Sequence, residues 1–337
     1  MPGHSAFLFA QNQRRAKMLF FRKKEENKMK RLKGLIILMT AMAFMILFSA
    51  CTQENPSKDN GDKSKGEYYP IVIEDSLGEK LEIKEEPQRV IALAPNITEM
   101  LYALNLGDKV VGRNSYSDYP EEVLEVEVVG DFIDLDIEKI AELQPDVVIA
   151  STFFDEELQN KFKELGITVI TLYDSDSFDG VYQAIETLGK VFDIEDKSQE
   201  QIIKIRSKVE EIQKLVKDSQ KPTVYYVVDY GQSGDYTATG ETFISKMIEL
   251  AGGDNIAKDV TGWVYSKEQL VEEDPDIILL SPFYYEGFIS GEGYKELSAV
   301  KNGKVYVVDN NLLDRQGPRA GEAVEALAKV LHPELFK

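Results

Sequence analysis

The chain has 337 residues, 43% of them hydrophobic and 29% charged, a composition that supports a sizeable core and two or three domains of ordinary size. Cut at its only cysteine, Cys51, it is polarised: residues 1–50 carry ten Lys/Arg against two Asp/Glu, a net of +8, and the rest carries 29 against 57, a net of −28. So acidic a globular part is a poor partner for phosphate backbones, and one cysteine with two histidines, His4 and His332, leaves no material for a disulfide, a thiolate cluster or a multi-histidine zinc site.

Gly34 to Ala50 is an uncharged, mostly apolar run behind Lys28, Lys30, Arg31 and Lys33. A positive segment followed by an apolar one, slightly short for a membrane span, reads as a signal peptide. Within the leader 1–50, Met29 gives the signal an ordinary length, so residues 29–50 are the expected signal and 1–28 an upstream start assignment. The run ends in Leu47-Phe48-Ser49-Ala50-Cys51, which resembles the bacterial lipobox, and Cys51 is the expected lipidation site. From Thr52 to Gly66 there is no apolar residue apart from Pro56, so residues 51–66 are the lipidated cysteine and a polar tether. The protein is expected outside the cytoplasm, anchored to the cell membrane, with a lone lipid anchor suggesting a Gram-positive outer leaflet.

From residue 67 to 194, short apolar runs alternate with amphipathic stretches: Val90–Ala94, Val128–Gly130, Val147–Ala150 and Val169–Leu172. Asn96-Ile97-Thr98-Glu99 offers a polar N-cap with Glu at the third position, and Asp155 caps a helix ending near Gly166. Strands alternating with helices predict an α/β lobe with a mostly parallel sheet covered on both faces. From about Glu195 to Asp218 there is no Pro or Gly, and Ile202, Ile205, Val209, Ile212 and Val216 form one narrow stripe along a helix of about 36 Å. The rhythm returns in residues 220–337, with Thr223–Val228, a helix over Phe243–Leu250, Ile277–Leu280, Val305–Val308 and a last helix after Pro318.

The second half also repeats the first in sequence. The stretch 136–151, DIEKIAELQPDVVIAS, aligns without a gap on 266–281, SKEQLVEEDPDIILLS, matching Glu138 to Glu268, Glu142 to Glu272 and Pro145-Asp146 to Pro275-Asp276. Each copy reads as a capped helix, a Pro-Asp turn and a buried strand. The spacing is far too wide for a solenoid, so the repeat predicts two similar lobes, 67–194 and 220–337, joined by the helix 195–219.

A lipobox, a tether, two α/β lobes and one long connecting helix together resemble the helix-linked (class III) substrate-binding proteins of ABC importers, which carry ferric siderophores, haem and cobalamin. The resemblance covers residues 68–337 and rests on Pro87–Glu99, Tyr116-Ser117-Asp118-Tyr119-Pro120, Glu138-Lys139-Ile140 with Pro145-Asp146, and Leu250-Ala251-Gly252-Gly253-Asp254-Asn255-Ile256. Ser117-Asp118-Tyr119-Pro120 and Gly262-Trp263, followed by Ser266-Lys267-Glu268-Gln269, look closest to the cobalamin-binding branch. The sister manganese and zinc binders use a histidine-rich cluster that this chain lacks. The resemblance implies a metal-chelate ligand (a cobalamin-type corrinoid or a ferric siderophore), no intrinsic cofactor, and an ABC permease dimer with its ATPase as partner. A monomer is expected.

Ligands of α/β sheets sit beyond the carboxyl ends of the strands. By that rule Phe132, Phe153, Tyr230, Phe283 and Asn311 are candidate ligand contacts, with Trp263 and the earlier Tyr116 beside them, because aromatic rings cover a broad chelate face at little rotamer entropy. Arg113, Arg315 and Arg319 offer planar charged forks; Arg315 is the candidate for an anionic ligand group, while Arg319 is expected to pair locally at the start of the last helix. Glu138 and Glu268 lie early in their helices, where carboxylates are favoured in any case. In the family resembled, one glutamate per lobe docks on arginines of the two permease subunits, and these two match those positions. With no phosphate-binding glycine loop, no metal cluster and no singled-out carboxylate pair, no enzyme is read. Three alternatives stay open: a haem receptor of the same importer class, an exported carbohydrate-acting enzyme, and a surface adhesion module.

Overall fold

The computed structural model describes residues 68–151, 154, 156–173, 176–231 and 234–336. The leader, Cys51, the tether, Phe153 and the expected cap Asp155 lie outside the described residues.

A hairpin of β1 (Ile71–Glu74) and β2 (Lys80–Ile83) precedes the first lobe. That lobe follows as β3 (Val90–Ala92), α1 (Pro95–Ala103), β4 (Val110–Arg113), α2 (Ile137–Glu142), β5 (Val147–Ala150), α3 (Glu156–Glu164), β6 (Val169–Thr171) and α4 (Phe178–Val191). Its four strands run parallel in the order β4-β3-β5-β6. One helix, α5 (Glu195–Val216), leads to the second lobe: β7 (Thr223–Asp229), β8 (Asp235–Thr237), α6 (Phe243–Leu250), β9 (Asp254–Asn255), β10 (Val264–Tyr265), α7 (Lys267–Glu273), β11 (Ile277–Leu280), α8 (Tyr285–Ser290), α9 (Ser298–Lys301), β12 (Val305–Val307), α10 (Asn310–Asp314) and α11 (Ala320–Leu331). Here β9, β7, β11 and β12 are parallel, while β8 and then β10 extend the sheet on one side, each antiparallel to the strand it pairs with.

The central strands are apolar without interruption because both of their faces are covered. Successive side chains point to opposite faces, and the burial follows that alternation. Val90, Ala92, Val147 and Ile149 of the first sheet and Val224, Tyr226, Ile277 and Leu279 of the second belong to one apolar cluster, which includes the whole α5 stripe and Val324 and Leu327 of α11. The opposite faces form separate cores, around Ile91, Val148 and Phe162 in the first lobe and around Tyr225, Ile278 and Phe288 in the second. The two lobes are therefore built against a common spine.

All five residues of the predicted stripe on α5 are buried. The helix packs against α4 of the first lobe and α11 of the second. Two glycines permit this approach: a Cβ on Gly189 would press into the Ser198 side chain, and one on Gly321 would meet Lys208 at 3.1 Å.

The internal repeat has a mechanical counterpart. Asp136 and Ser266 each cap the following helix through the N–H three residues on, at 2.9 and 3.1 Å. Gln144 and Asp274, also equivalent, both take left-handed backbone, with φ of 47° and 41°. Asp146 then accepts the backbone N–H groups of Gln88 and Arg89, and Asp276 that of Thr223, so each copy pins the start of its lobe's first central strand.

Two local expectations are corrected. Val128–Gly130 is not a strand: Val128 makes only an isolated bridge to Arg113, and the strand in that place is β4, a four-residue segment with a glycine in it. Asn96 is not an N-cap, because the helix begins two residues earlier, with Pro95 at its first position and Ala94 as cap.

Candidate functional site

The carboxyl ends of both parallel sheets open towards one seam between the lobes. On the first lobe the loop after β4 is fixed from within. Asn114, fully buried, donates to the Leu93 carbonyl at 3.1 Å and accepts from Tyr116 N at 2.9 Å, and Ser117 Oγ lies 2.9 Å from Thr98 Oγ1 of α1. Arg113 turns inward and donates to the carbonyls of Val126 and Ser117, at 3.1 and 3.0 Å, which keeps it from reaching outward. On this frame Tyr116 stands 57% exposed, its ring stacked on Phe132 at 5.6 Å and 14°. Phe132 rides on a turn held by Asp131, which accepts the N–H groups of Ile133 and Asp134.

The carboxyl edge of the second lobe is aromatic too. Tyr230, directly after β7, meets Tyr284, Phe288 and Tyr294 edge-on at 5.6, 5.2 and 5.2 Å, and Phe283 stands 67% exposed against Tyr284. Tyr294 donates its hydroxyl to the buried Asp235 at 2.5 Å. Burial, then the nearby Asp229 carboxylate, pushes the Tyr284 phenol up to about 12, so its hydroxyl stays protonated at physiological pH. Of the candidate aromatics, the structure thus gathers Tyr116 with Phe132 on one wall and Tyr230 with Phe283 on the other. Trp263 is half-buried and lies back from the sheet's carboxyl edge, its carbonyl accepting from Thr237 N at 2.9 Å.

The lobes are joined by an ion-pair network centred on Glu99. This carboxylate, 2% exposed on α1, accepts Nη1 of Arg315 at 3.0 Å and Nε and Nη2 of Arg319 at 2.8 and 2.6 Å. Arg315 also reaches Asp118 at 2.7 Å and the Tyr116 carbonyl at 3.1 Å, and Asn311 donates to Asp118 at 3.2 Å. Arg319 lies 4.1 Å from the centre of the Tyr119 ring. Burial by itself would lower the pKa of Arg319; the hydrogen bond and charge of Glu99 reverse that and leave it raised. A carboxylate so deep persists only when paired and hydrogen-bonded, and here it has three N–H donors.

This changes the reading of three residues. Arg319 does not pair locally but crosses to the other lobe. Arg315 is matched by two carboxylates of the chain itself. Glu99, taken as an N-terminal helix carboxylate, is the hub. Its signal was present: it is the one charge in the helix Pro-Asn-Ile-Thr-Glu-Met-Leu-Tyr-Ala, flanked by residues that all pack inward. A lone charge on an apolar helix needs a partner.

Glu138 and Glu268 are both exposed, in the first turns of α2 and α7. Each helix runs back from the carboxyl edge to the start of the next parallel strand, so both glutamates sit on the edge where the seam opens, one per lobe. Among the described residues no group of His, Cys, Asp and Glu could hold a metal ion. His332 is buried at the Gly252 carbonyl, 3.2 Å away.

Residues 90–312 match the model of the family described as periplasmic binding protein. The chain belongs to this family. Among curated proteins this periplasmic binding protein is 36% identical over 299 residues to an uncharacterised ABC transporter substrate-binding lipoprotein of Bacillus subtilis, covering 87% of this chain and 95% of the relative. It is 31% identical over 250 residues to the vitamin B12-binding protein of Vibrio cholerae, covering 72% of this chain and 89% of the relative. A cobalamin-binding protein of Halobacterium salinarum is 28% identical, with 88% and 84% covered. Of solved structures, the vitamin B12-binding protein BtuF of Vibrio cholerae superimposes with a TM-score of 0.64 at 29% identity, over 75% of this chain and 99% of that one. The haem-binding protein RhuT of Roseiflexus sp. RS-1 reaches 0.68 at 24% identity, over 74% and 99%, a likeness of fold. The periplasmic binding protein described here is thus a substrate-binding protein of the ABC-importer class and not an enzyme.

Proposed function

We propose that the protein captures a metal chelate of the cobalamin-type corrinoid or ferric-siderophore class between its lobes and passes it to an ABC permease dimer driven by an ATPase. One observation carries the reading: two aromatic walls, Tyr116 with Phe132 and Tyr230 with Phe283, stand on opposite lobes at the carboxyl ends of the sheets. Broad, flat, partly apolar ligands suit such walls, since rings offer large contact at low entropy cost. The relatives named for cobalamin and vitamin B12 point to the corrinoid first. Asn311 and, from its sequence position after β5, Phe153 are the further contacts of this reading, and Trp263, the only tryptophan, serves as reporter. In this reading Cys51 carries the lipid that anchors the protein outside the cell membrane, on a Gram-positive outer leaflet, and Glu138 and Glu268 meet the two permease subunits.

The test is a titration of the full chain in detergent with cyanocobalamin, a ferric trihydroxamate, haem and a ferric tris-catecholate, followed by tryptophan emission and calorimetry. Saturable one-to-one binding of a chelate is expected. Absence of saturation with every one of them overturns the reading.

A further inference from the structure

The aromatic walls do not by themselves choose among chelates that differ in charge, but the seam below them does. The segments that follow the parallel strands, residues 93–96, 114–120, 151–155, 172–177, 230–234, 281–286 and 308–319, contain Arg315 and Arg319 as their only basic residues. Both are already bound by Glu99, and Arg315 by Asp118 as well. Their side chains are 9% and 15% exposed. Arg113, at the end of β4, is turned onto backbone carbonyls. Lys267, which lies against the aromatic wall, has its ammonium 4.3 Å from the Tyr294 ring centre and donates to the Glu292 carbonyl. Among the described residues, the exposed charges of these segments are of the other sign: Asp118, Glu286, Asp309 and Asp314.

We propose that Glu99 determines ligand specificity: by holding Arg315 and Arg319 in a buried network, it withholds positive charge from the cleft, so that the protein accepts neutral or cationic chelates and rejects anionic ones. The proposal rests on the chelate reading above and deepens it. An anionic ligand entering this cleft loses its hydration, meets no available cation and approaches exposed carboxylates, a repulsive arrangement of the kind that sets specificity. A neutral corrinoid or a trihydroxamate meets no such barrier. Haem, with two carboxylates, and a tris-catecholate, more anionic still, do.

The experiment measures affinities of the full chain for the same four probes, in wild type, Glu99→Gln and Asp118→Asn. Wild type is expected to bind cyanocobalamin or the trihydroxamate at least about a hundredfold tighter than haem or the tris-catecholate, a preference that narrows with salt. Glu99→Gln removes the neutralising charge and nearly preserves shape; it should raise the ratio of haem to cyanocobalamin affinity about tenfold. Because a buried carboxylate can matter for folding, Asp118→Asn provides the second arm. Asp118 is half exposed, and its loss should move the ratio the same way by about threefold. Wild-type binding of haem as tight as that of the neutral probes overturns the selection while leaving the chelate reading intact. A ratio unmoved in both folded variants does the same. Failure of all four probes overturns the chelate reading and the selection together.

Discussion

Tyr116 and Tyr230 are each held by their own backbones. Tyr116 follows a buried asparagine that fixes its N–H, and Tyr230 N donates to the side chain of Asp229 at 2.8 Å. A ring fixed in advance loses little freedom on contact, so truncating it removes most of what it contributes. Tyr116→Ala and Tyr230→Ala should each weaken chelate binding by about 1–2 kcal/mol, measured by calorimetry, with the melting temperature of Tyr116→Ala unchanged because its ring is exposed. At this scale the sequence was legible for types and silent on partners. Tyr230 and Phe283 could be placed at strand ends by counting, whereas Phe132 follows a run that forms no strand and Tyr116 follows β4, which the pattern does not reveal. The ion pair from Glu99 to Arg319 spans 220 residues, and no local pattern encodes it.

Among elements, α5 illustrates why some readings succeed. Its stripe arises from helical period alone, so the bounds drawn from sequence differ from the observed ones only at the last turn. β4 was missed because Val110-Val111-Gly112-Arg113 is too short and mixed to stand out; it is a strand because β3 pairs with it. The helix contact yields a sharp expectation. Gly189→Ala should lower stability by about 1–3 kcal/mol in urea denaturation, since Ser198 cannot retreat from a packed helix pair. Ile205→Ala, which opens a void in the stripe, should lose about 2–5 kcal/mol. The short helices α2 and α7 carry a prediction of another kind. Their caps come from Asp136 and Ser266, so Glu138 and Glu268 are not needed to hold the first turns. Exchanging both for alanine should leave chelate affinity and melting temperature in place while uptake by whole cells falls sharply; normal uptake would return them to a local role.

At the scale of the molecule, the common apolar cluster makes the lobes one thermodynamic body. Calorimetric melting of the full chain should show a single transition for the two lobes, and resolved transitions would contradict the shared spine. The same spine limits rearrangement: with α5 packed against both lobes, binding should change the radius of gyration in solution scattering by no more than about 1 Å, a rocking of lobes and not a wide closure. Shared packing also has an order of events written into it. A chain threaded outward from its N-terminus delivers the first lobe and α5 well before α11, the helix that covers the other side of the α5 stripe. Until Leu331 has crossed the membrane, the side of the stripe that α11 covers faces water, and the emerging polypeptide is a substrate for surface proteases and for sticking to its neighbours. Chains ended before Ala320 should therefore be degraded at the cell surface within a pulse-chase that leaves the full chain intact. Maturation waits on its final helix.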